Sequence, residues 1–317
     1  MNSIFSRTLK ALCSVVVAAM LSACGASSTV DPFQPTRVIG LGDGYNDVGS
    51  DLSGNAPFTV TGTGEIATVV EQVAALFGVG SHGTFVTTGT YSQLPALGVF
   101  SYAVGGALIN SGADSLAAQI SRLSDDIGGT FNASDLIVIA AGTQNIKAAY
   151  SIAGAEAAAV LLEDQVKTLL RMGARHILIL QPLELSVTPY AVRNSISVNV
   201  TSSPTVKFNA KVSGDLNDYV SRQGLSGNSV IYGAGTSSGN FSSIFNTYAQ
   251  TTPYAEFTTS TQVPYCPSPQ LMTGCQQTLN DPTVYDTTLF ADDLNLTPYG
   301  NRWVGGFLYA ATAQGWR

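Results

Sequence analysis

The segment Val38-Ile-Gly-Leu-Gly-Asp-Gly-Tyr-Asn-Asp-Val-Gly-Ser50 gives the strongest indication of how this chain folds. An apolar run ends in Gly-Asp and is followed at once by a turn of small and polar residues. A buried strand of a parallel α/β sheet delivers its loop to the ligand-binding edge in this way. The segment therefore predicts a central strand that carries a functional loop at its carboxyl end.

Helical and strand-like patterns alternate along most of the remaining sequence. Continuous apolar runs at residues 135–141 and 176–180 are typical of strands buried on both faces, and residues 229–232 form a shorter run. This alternation predicts a three-layer α/β/α sandwich with a mostly parallel central sheet, in one domain over residues 37–317. Helical periodicity is found at residues 65–77, 115–127, 156–172, 204–223, 241–248 and 297–313.

The N-terminus has the pattern of an export signal. Two basic residues precede an apolar run, residues 11–21, which is too short to span a bilayer as a helix. The run ends in Leu21-Ser-Ala-Cys-Gly25, which resembles a bacterial lipobox. The resemblance implies a signal peptide over residues 1–23, lipidation of Cys24, a tether over residues 24–36 and a place in the outer membrane of a Gram-negative bacterium. Ordinary signal cleavage beside an incidental cysteine is the alternative.

Composition and charge exclude several classes of function. The chain has 317 residues, of which 45% are hydrophobic and 11% charged, and this is enough to form one large core. Its formal net charge of −7 argues against nucleic-acid binding and against a basic surface facing a membrane. We therefore expect any membrane attachment to come from the N-terminal lipid.

Two of the four cysteines are candidates for a disulfide. Cys13 lies within the signal peptide and Cys24 would carry the lipid, which leaves Cys266 and Cys275 in a loop rich in Pro, Gly and Gln. In an oxidising compartment these two are expected to pair. A metal site is the weaker alternative, because two cysteines without a nearby histidine make a poor zinc site.

Four segments together resemble the signature blocks of the SGNH/GDSL esterase and lipase family. Residues 38–50 are similar to its first block, Gly-Asp-Ser-Leu-Ser-Asp-x-Gly-Asn, and residues 101–107 to its second, Asn-Tyr-Ala-x-Gly-Gly-Ala. Residues 135–145 end in Gly-Thr-Gln-Asn where the third block has Gly-x-Asn-Asp. Residues 289–300 contain Asp-Asp-Leu-Asn-Leu-Thr-Pro-Tyr-Gly where the last block has Asp-x-x-His-Pro-Thr-x-x-Gly. The resemblance implies the SGNH-hydrolase fold, which is flavodoxin-like.

The same resemblance implies that the chemically important positions have changed. The family's nucleophilic serine falls on Gly44 and its general base on Asn295, whereas the triad acid is kept as Asp292. The oxyanion-hole positions fall on Gly44, Gly105 and Gln144. Glycine has no side chain to attack with, and an amide has no proton affinity near neutral pH. Since losing either group costs roughly 10⁶ in kcat in a serine protease, we expect no conventional esterase activity.

Few residues are available to replace this chemistry. His176 opens a strand and so lies at the wrong end of the sheet, while His82 lies in a glycine-rich loop that could reach the site. Asp43 and Asp292 could form a paired-carboxylate site of a different chemistry. Three residues beside the former catalytic positions are candidate ligand contacts, with loop packing as their alternative role: Asp43, Tyr45 and Thr143.

Three functions remain open. The first is a lipid-anchored protein that binds an acyl, acetylated-sugar or other envelope ligand without cutting it, and without a cofactor or a metal. The second is an active carboxylic ester hydrolase that uses unconventional residues. The third is a structural or assembly partner of an active relative. We favour the first, because exchanging serine for glycine removes little bulk and exchanging histidine for asparagine keeps a polar group.

Overall fold

The computed structural model describes residues 32–49, 68–86, 93–196, 202–225, 229–233, 264–266 and 288–316. Within them, six parallel strands form one sheet in the order β2-β3-β1-β4-β5-β6. The strands are β1 Arg37–Gly42, β2 Thr84–Phe85, β3 Gly98–Ser101, β4 Asp135–Ala140, β5 His176–Leu180 and β6 Val230–Tyr232. The α-helices are α1 Val69–Leu76, α2 Leu116–Asp126, α3 Thr143–Ala148, α4 Ile152–Arg171, α5 Pro189–Arg193, α6 Pro204–Arg222 and α7 Pro298–Gly315.

Successive residues of the central strands face opposite sides of the sheet, and each side is covered by different helices. On one side Ile39, Ile137 and Ile179 belong to one buried cluster with residues of α2, α4 and α6. On the other side Gly40 leaves room for α1, where a Cβ on this glycine would lie 3.1 Å from Val70 Cγ1. Helix α7 packs against α1 on that side. The predicted three-layer α/β/α fold with a parallel sheet is confirmed.

Hydroxyl caps explain where the longer helices, α1, α2, α4, α6 and α7, begin. Ser115 caps α2 by accepting a hydrogen bond from the Ala118 amide, and the bounds of α2 match the periodic segment predicted for it. Helix α4 starts four residues before its periodic segment, because Ser151 accepts a bond from the Gly154 amide at 3.0 Å. Short elements such as α3, α5 and β2 carry too few residues to show a period, and the sequence did not predict them. The predicted helix over residues 241–248 lies outside the described residues.

The order of the strands sets the position of the site. Strands β1 and β4 are neighbours in the sheet. The chain continues from β1 toward β2 and β3 on one side and from β4 toward β5 on the other, so the loops after β1 and β4 diverge at their carboxyl ends. Such a switch point forms a crevice in open α/β sheets. In the described part of the chain, no helix has both the length and the hydropathy of a membrane span.

Glu163, on α4, is a carboxyl group that should make stability depend on pH. Burial, helped by the neighbouring Asp215, raises the pKa of Glu163 to about 7 against the opposing charges of Lys167 and Lys211. The folded chain therefore keeps a proton that the unfolded chain releases above its ordinary value of 4.5, so stability is lost as pH rises from there through about 7. We expect Glu163→Gln to raise stability at pH 8 by about 1–2 kcal/mol and to flatten the pH profile of the melting temperature.

The matched control is Glu156→Gln, since this glutamate lies at an exposed position of the same helix. Thermal melts of both variants between pH 5 and 8 separate a specific effect from a general loss of charge. If Glu163→Gln kept the slope of the parent protein, the buried carboxyl would not be the titrating group.

Candidate functional site

The loop that follows β1 is fixed by the backbone of Gly42 and by a glutamine on α2. Gly42 has φ of +111°, and a Cβ added there would lie 1.8 Å from the carbonyl oxygen of Ala140. The Gln119 side chain accepts from the Gly42 amide at 2.7 Å and donates to the Gly42 carbonyl at 2.8 Å. The last residue of β1 is therefore held at both its backbone amide and its backbone carbonyl.

Gly44, where the resemblance places a nucleophile, lies in a buried turn just after β1. The Asp43 amide donates to the Ala140 carbonyl at 2.8 Å, and the Asn46 amide closes the turn by donating to the Asp43 carbonyl at 3.0 Å. The Asn46 side chain donates to the carbonyls of Leu41 and Val138, both at 3.0 Å. These bonds fix the turn at the carboxyl end of β1, where Gly44 has no side chain.

Asp292 and Asn295, where the resemblance places the triad acid and base, are hydrogen-bonded to each other in the loop before α7. Asp292 Oδ1 accepts from the backbone amides of Leu294 and Asn295, at 2.8 and 2.7 Å. The Asn295 side-chain amide donates to Asp292 Oδ2 at 2.8 Å. Burial raises the pKa of Asp292, and these hydrogen bonds together with the charge of Lys147 act against that rise. The Asp292 carboxylate therefore accepts a hydrogen bond from the side chain at position 295, as a triad carboxylate accepts one from its histidine. The amide of Asn295, unlike an imidazole, cannot accept a proton.

Tyr45 connects the loop after β1 to the loop before α7, which carries Asp292 and Asn295 and is called the acid loop below. Its phenol oxygen donates to the Leu294 carbonyl at 2.7 Å, and the residue is only 4% exposed. Burial, with the negative charges of Asp43 and Asp292, raises the pKa of this phenol well above its ordinary value. This contact brings the chain beside Gly44 against the chain beside Asn295. It also gives Tyr45 the packing role that the sequence left as an alternative.

Gly105, an expected oxyanion donor, has its amide directed at a carboxylate of the protein. The amide donates to Asp47 Oδ2 at 2.6 Å, while Asp47 Oδ1 accepts from the Gly49 amide at 2.9 Å. A donor stabilises an oxyanion only when its hydrogen points to where that charge develops. For Gly105 to serve a substrate oxygen, the Asp47 carboxylate would first have to give way.

Asp43 is buried below the turn and is 2% exposed. Burial is the main cause that raises the pKa of Asp43 to about 7, and the charge of Asp47 adds to it. Its Oδ2 has no hydrogen-bond partner among the described residues. The Tyr45 phenol lies close enough to Asp43 and Asp292 for both negative charges to raise its pKa. A paired-carboxylate chemistry of these two residues stays a prediction.

The third block supplies the first turn of α3. Thr143 is buried and Gln144 partly buried at the start of this helix, directly after Gly142, whose φ is +112°. Asn145, at the position where the family has aspartate, accepts from the Ile109 amide at 3.0 Å. The block thus lies at the carboxyl edge of the sheet, where the resemblance places it.

Neither histidine lies at this edge. His176 is the first residue of β5, and its ring meets Trp316 edge-on with 5.0 Å between ring centroids. His82 is exposed and comes just before β2, at the amino-terminal end of an edge strand. Both therefore lie at the amino-terminal edge of the sheet, opposite the edge at which the turn after β1 lies.

The sequence did not reveal several residues that shape the site. Gln119 repeats the spacing of the apolar face of α2, and a polar residue at such a position was the one available signal. Lys147 and Tyr190 carry no pattern of their own, and only the fold brings the Lys147 ammonium over the Tyr190 ring, 5.1 Å from its centroid.

Two predicted modifications involve chain outside the described residues. Cys24 and Cys275 both lie there. Cys266 is buried, and its amide donates to the Ala291 carbonyl at 2.8 Å, next to Asp292. The lipid anchor and the Cys266–Cys275 disulfide stay predictions.

The described residues contain no group of three His, Cys, Asp or Glu side chains that could hold a metal ion. No protein-family model and no curated protein sequence matches this chain. Among solved structures it is similar to the lipase/acylhydrolase from Enterococcus faecalis, with 14% sequence identity and a TM-score of 0.43 over 88% of this chain and 96% of that one. Since a fold hosts many functions, the function has to be inferred from the residues of the site.

Proposed function

We propose that this protein binds an ester-like, acyl or acetylated-sugar ligand in an esterase-like crevice and does not cleave it. The observation that carries the proposal is the bond between Asn295 and Asp292, at 2.8 Å. The acid keeps its full set of hydrogen bonds, but the group it orients has no basic nitrogen. A general base is therefore missing from an otherwise ordered acid loop.

Two further features argue against hydrolysis. Gly44 offers no nucleophile, and the Gly105 amide already donates to the Asp47 carboxylate at 2.6 Å. A nucleophile is thus absent, and one expected oxyanion donor is engaged by a carboxylate of the protein. In this proposal the domain is held at the outer membrane through a lipid on Cys24, with an envelope component as its ligand.

The test is to measure turnover and binding on the same sample. With p-nitrophenyl acetate, butyrate and dodecanoate as substrates, we expect rates equal to the uncatalysed background. Isothermal titration calorimetry with non-hydrolysable amides of the same acids should show binding. Turnover by the parent protein that disappears in Asp292→Ala would overturn the proposal and favour an active hydrolase with unconventional residues.

A further inference from the structure

We propose that the ligand of this crevice carries an anionic group, a carboxylate or a phosphate, and that Lys147 is the residue that receives it. This inference rests on the proposed function and specifies the chemistry of its ligand. It is carried by the position of Lys147 and by what its neighbours already bind.

Lys147 lies at the carboxyl edge of the sheet. It belongs to α3, the short helix that begins directly after β4 and carries Gln144 in its first turn. The side chain is partly buried, and its ammonium lies over the ring of Tyr190, 5.1 Å from the centroid. An aromatic face attracts a cation and restricts where it can move. The ammonium is therefore positioned before any ligand arrives.

The ammonium lies close enough to Asp292 to lower the pKa of that carboxyl, although burial raises it more. It does not neutralise Asp292 by direct contact, because the described residues contain no ion pair between the two. Both oxygens of Asp292 are already engaged by the amides of Leu294 and Asn295. A positive charge thus faces the acid loop without an anion in hydrogen-bond contact.

Helix α5, which carries Tyr190, is attached to the acid loop. The Tyr190 amide donates to the Asp293 carbonyl at 3.1 Å, and Arg193 forms an ion pair with the Asp293 carboxylate. Asp293 is the next residue after Asp292, so the Lys147–Tyr190 pair is held at a set position relative to Asp292 and Asn295. The arrangement is suited to a ligand with an anionic group at Lys147 and a neutral carbonyl or amide at Asn295.

The experiment compares matched neutral and anionic ligands by isothermal titration calorimetry at low ionic strength, on the full chain. One family of probes is N-acetylglucosamine, N-acetylmuramic acid and N-acetylglucosamine 6-phosphate, and the other is hexanamide and hexanoate. In the parent protein we expect at least one anionic member to bind about tenfold more tightly than its neutral counterpart, the effect of one charge-assisted contact. The preference should weaken as salt is added. The carboxylate and phosphate arms distinguish the two sources of the charge.

Three variants decide whether Lys147 is responsible. Lys147→Met should reduce the preference to about twofold or less, whereas Lys147→Arg should keep most of it, since arginine also pairs with these anions. The matched control is Lys167→Met, because Lys167 also lies over a tyrosine ring, that of Tyr219 at 5.6 Å, but on α4. Thermal melts establish that each variant is folded.

The outcomes separate this inference from the proposed function. Equal affinity for neutral and anionic probes, or a preference that survives in Lys147→Met, would overturn the role of Lys147 and leave ligand binding in place. If no member of either family binds, the proposed function fails, and the inference fails with it.

Discussion

The triple variant Gly44→Ser, Gln144→Asn, Asn295→His is expected to hydrolyse short-chain p-nitrophenyl esters at least about a hundredfold faster than the parent protein. The acid loop is already arranged for it. Asp292 Oδ1 is held by two backbone amides, and Oδ2 accepts from position 295 at 2.8 Å. A histidine introduced at this position can use the same carboxylate to fix its tautomer and orientation.

The nucleophile turn lies next to that loop. The Tyr45 phenol donates to the Leu294 carbonyl at 2.7 Å, which places the neighbours of Gly44 and Asn295 in contact. Because nucleophile and base act as a unit, Gly44→Ser and Asn295→His alone should each stay near background. Adding Asp292→Asn to the triple variant should remove most of the gain, since the histidine would lose the partner that selects its tautomer.

A folded triple variant without activity would show that the crevice has changed beyond these three positions. The Asp47 carboxylate on the Gly105 amide is the contact to examine in that case. It would then have to be regarded as a permanent block of the oxyanion hole, and an assembly role would become the better account of the protein.

The second large effect is expected for Gly42→Ala, which should lower the melting temperature by about 10 °C or more, or prevent folding. The new Cβ would lie 1.8 Å from the carbonyl oxygen of Ala140, a backbone atom of the neighbouring central strand that cannot move away as a side chain would. The backbone of Gly42 also has φ of +111°, a region that residues with a Cβ avoid. Separation of β1 from β4 would disturb both the core and the site loop.

Gly112→Ala is the matched control for this prediction. Gly112 has a similar φ of +96°, but a Cβ there would meet no atom within 4 Å. Only the conformational cost remains, which is about 1–2 kcal/mol. Circular-dichroism melts of both variants measure the difference. Similar losses at the two positions would mean that the close approach of β1 and β4 does not limit stability.

The sequence predicted the location of the site better than its contacts. The turn at Gly44 follows β1, so its place at the carboxyl edge follows from a local motif. The acid loop at Asp292 precedes α7, and the bond from Tyr45 to Leu294 brings it to the same edge. The burial of Tyr45 and its bond to Leu294 could not be predicted, because the partner lies 249 positions away in the chain. The sequence therefore favoured loop packing for this residue and left ligand contact open, without identifying the packing partner.

What the sequence by itself determined is whatever depends on neighbours along the chain: the parallel sheet, the extent of α2, and the residue types at Gly44 and Asn295, where the resemblance places a nucleophile and a base. Periodicity and side-chain identity are local properties, so they can be read without coordinates. Only the tertiary structure decided how the Gly105 amide is used and where the Lys147 ammonium lies. Such contacts join segments that become neighbours only when the sheet assembles, so no spacing in the sequence encodes them.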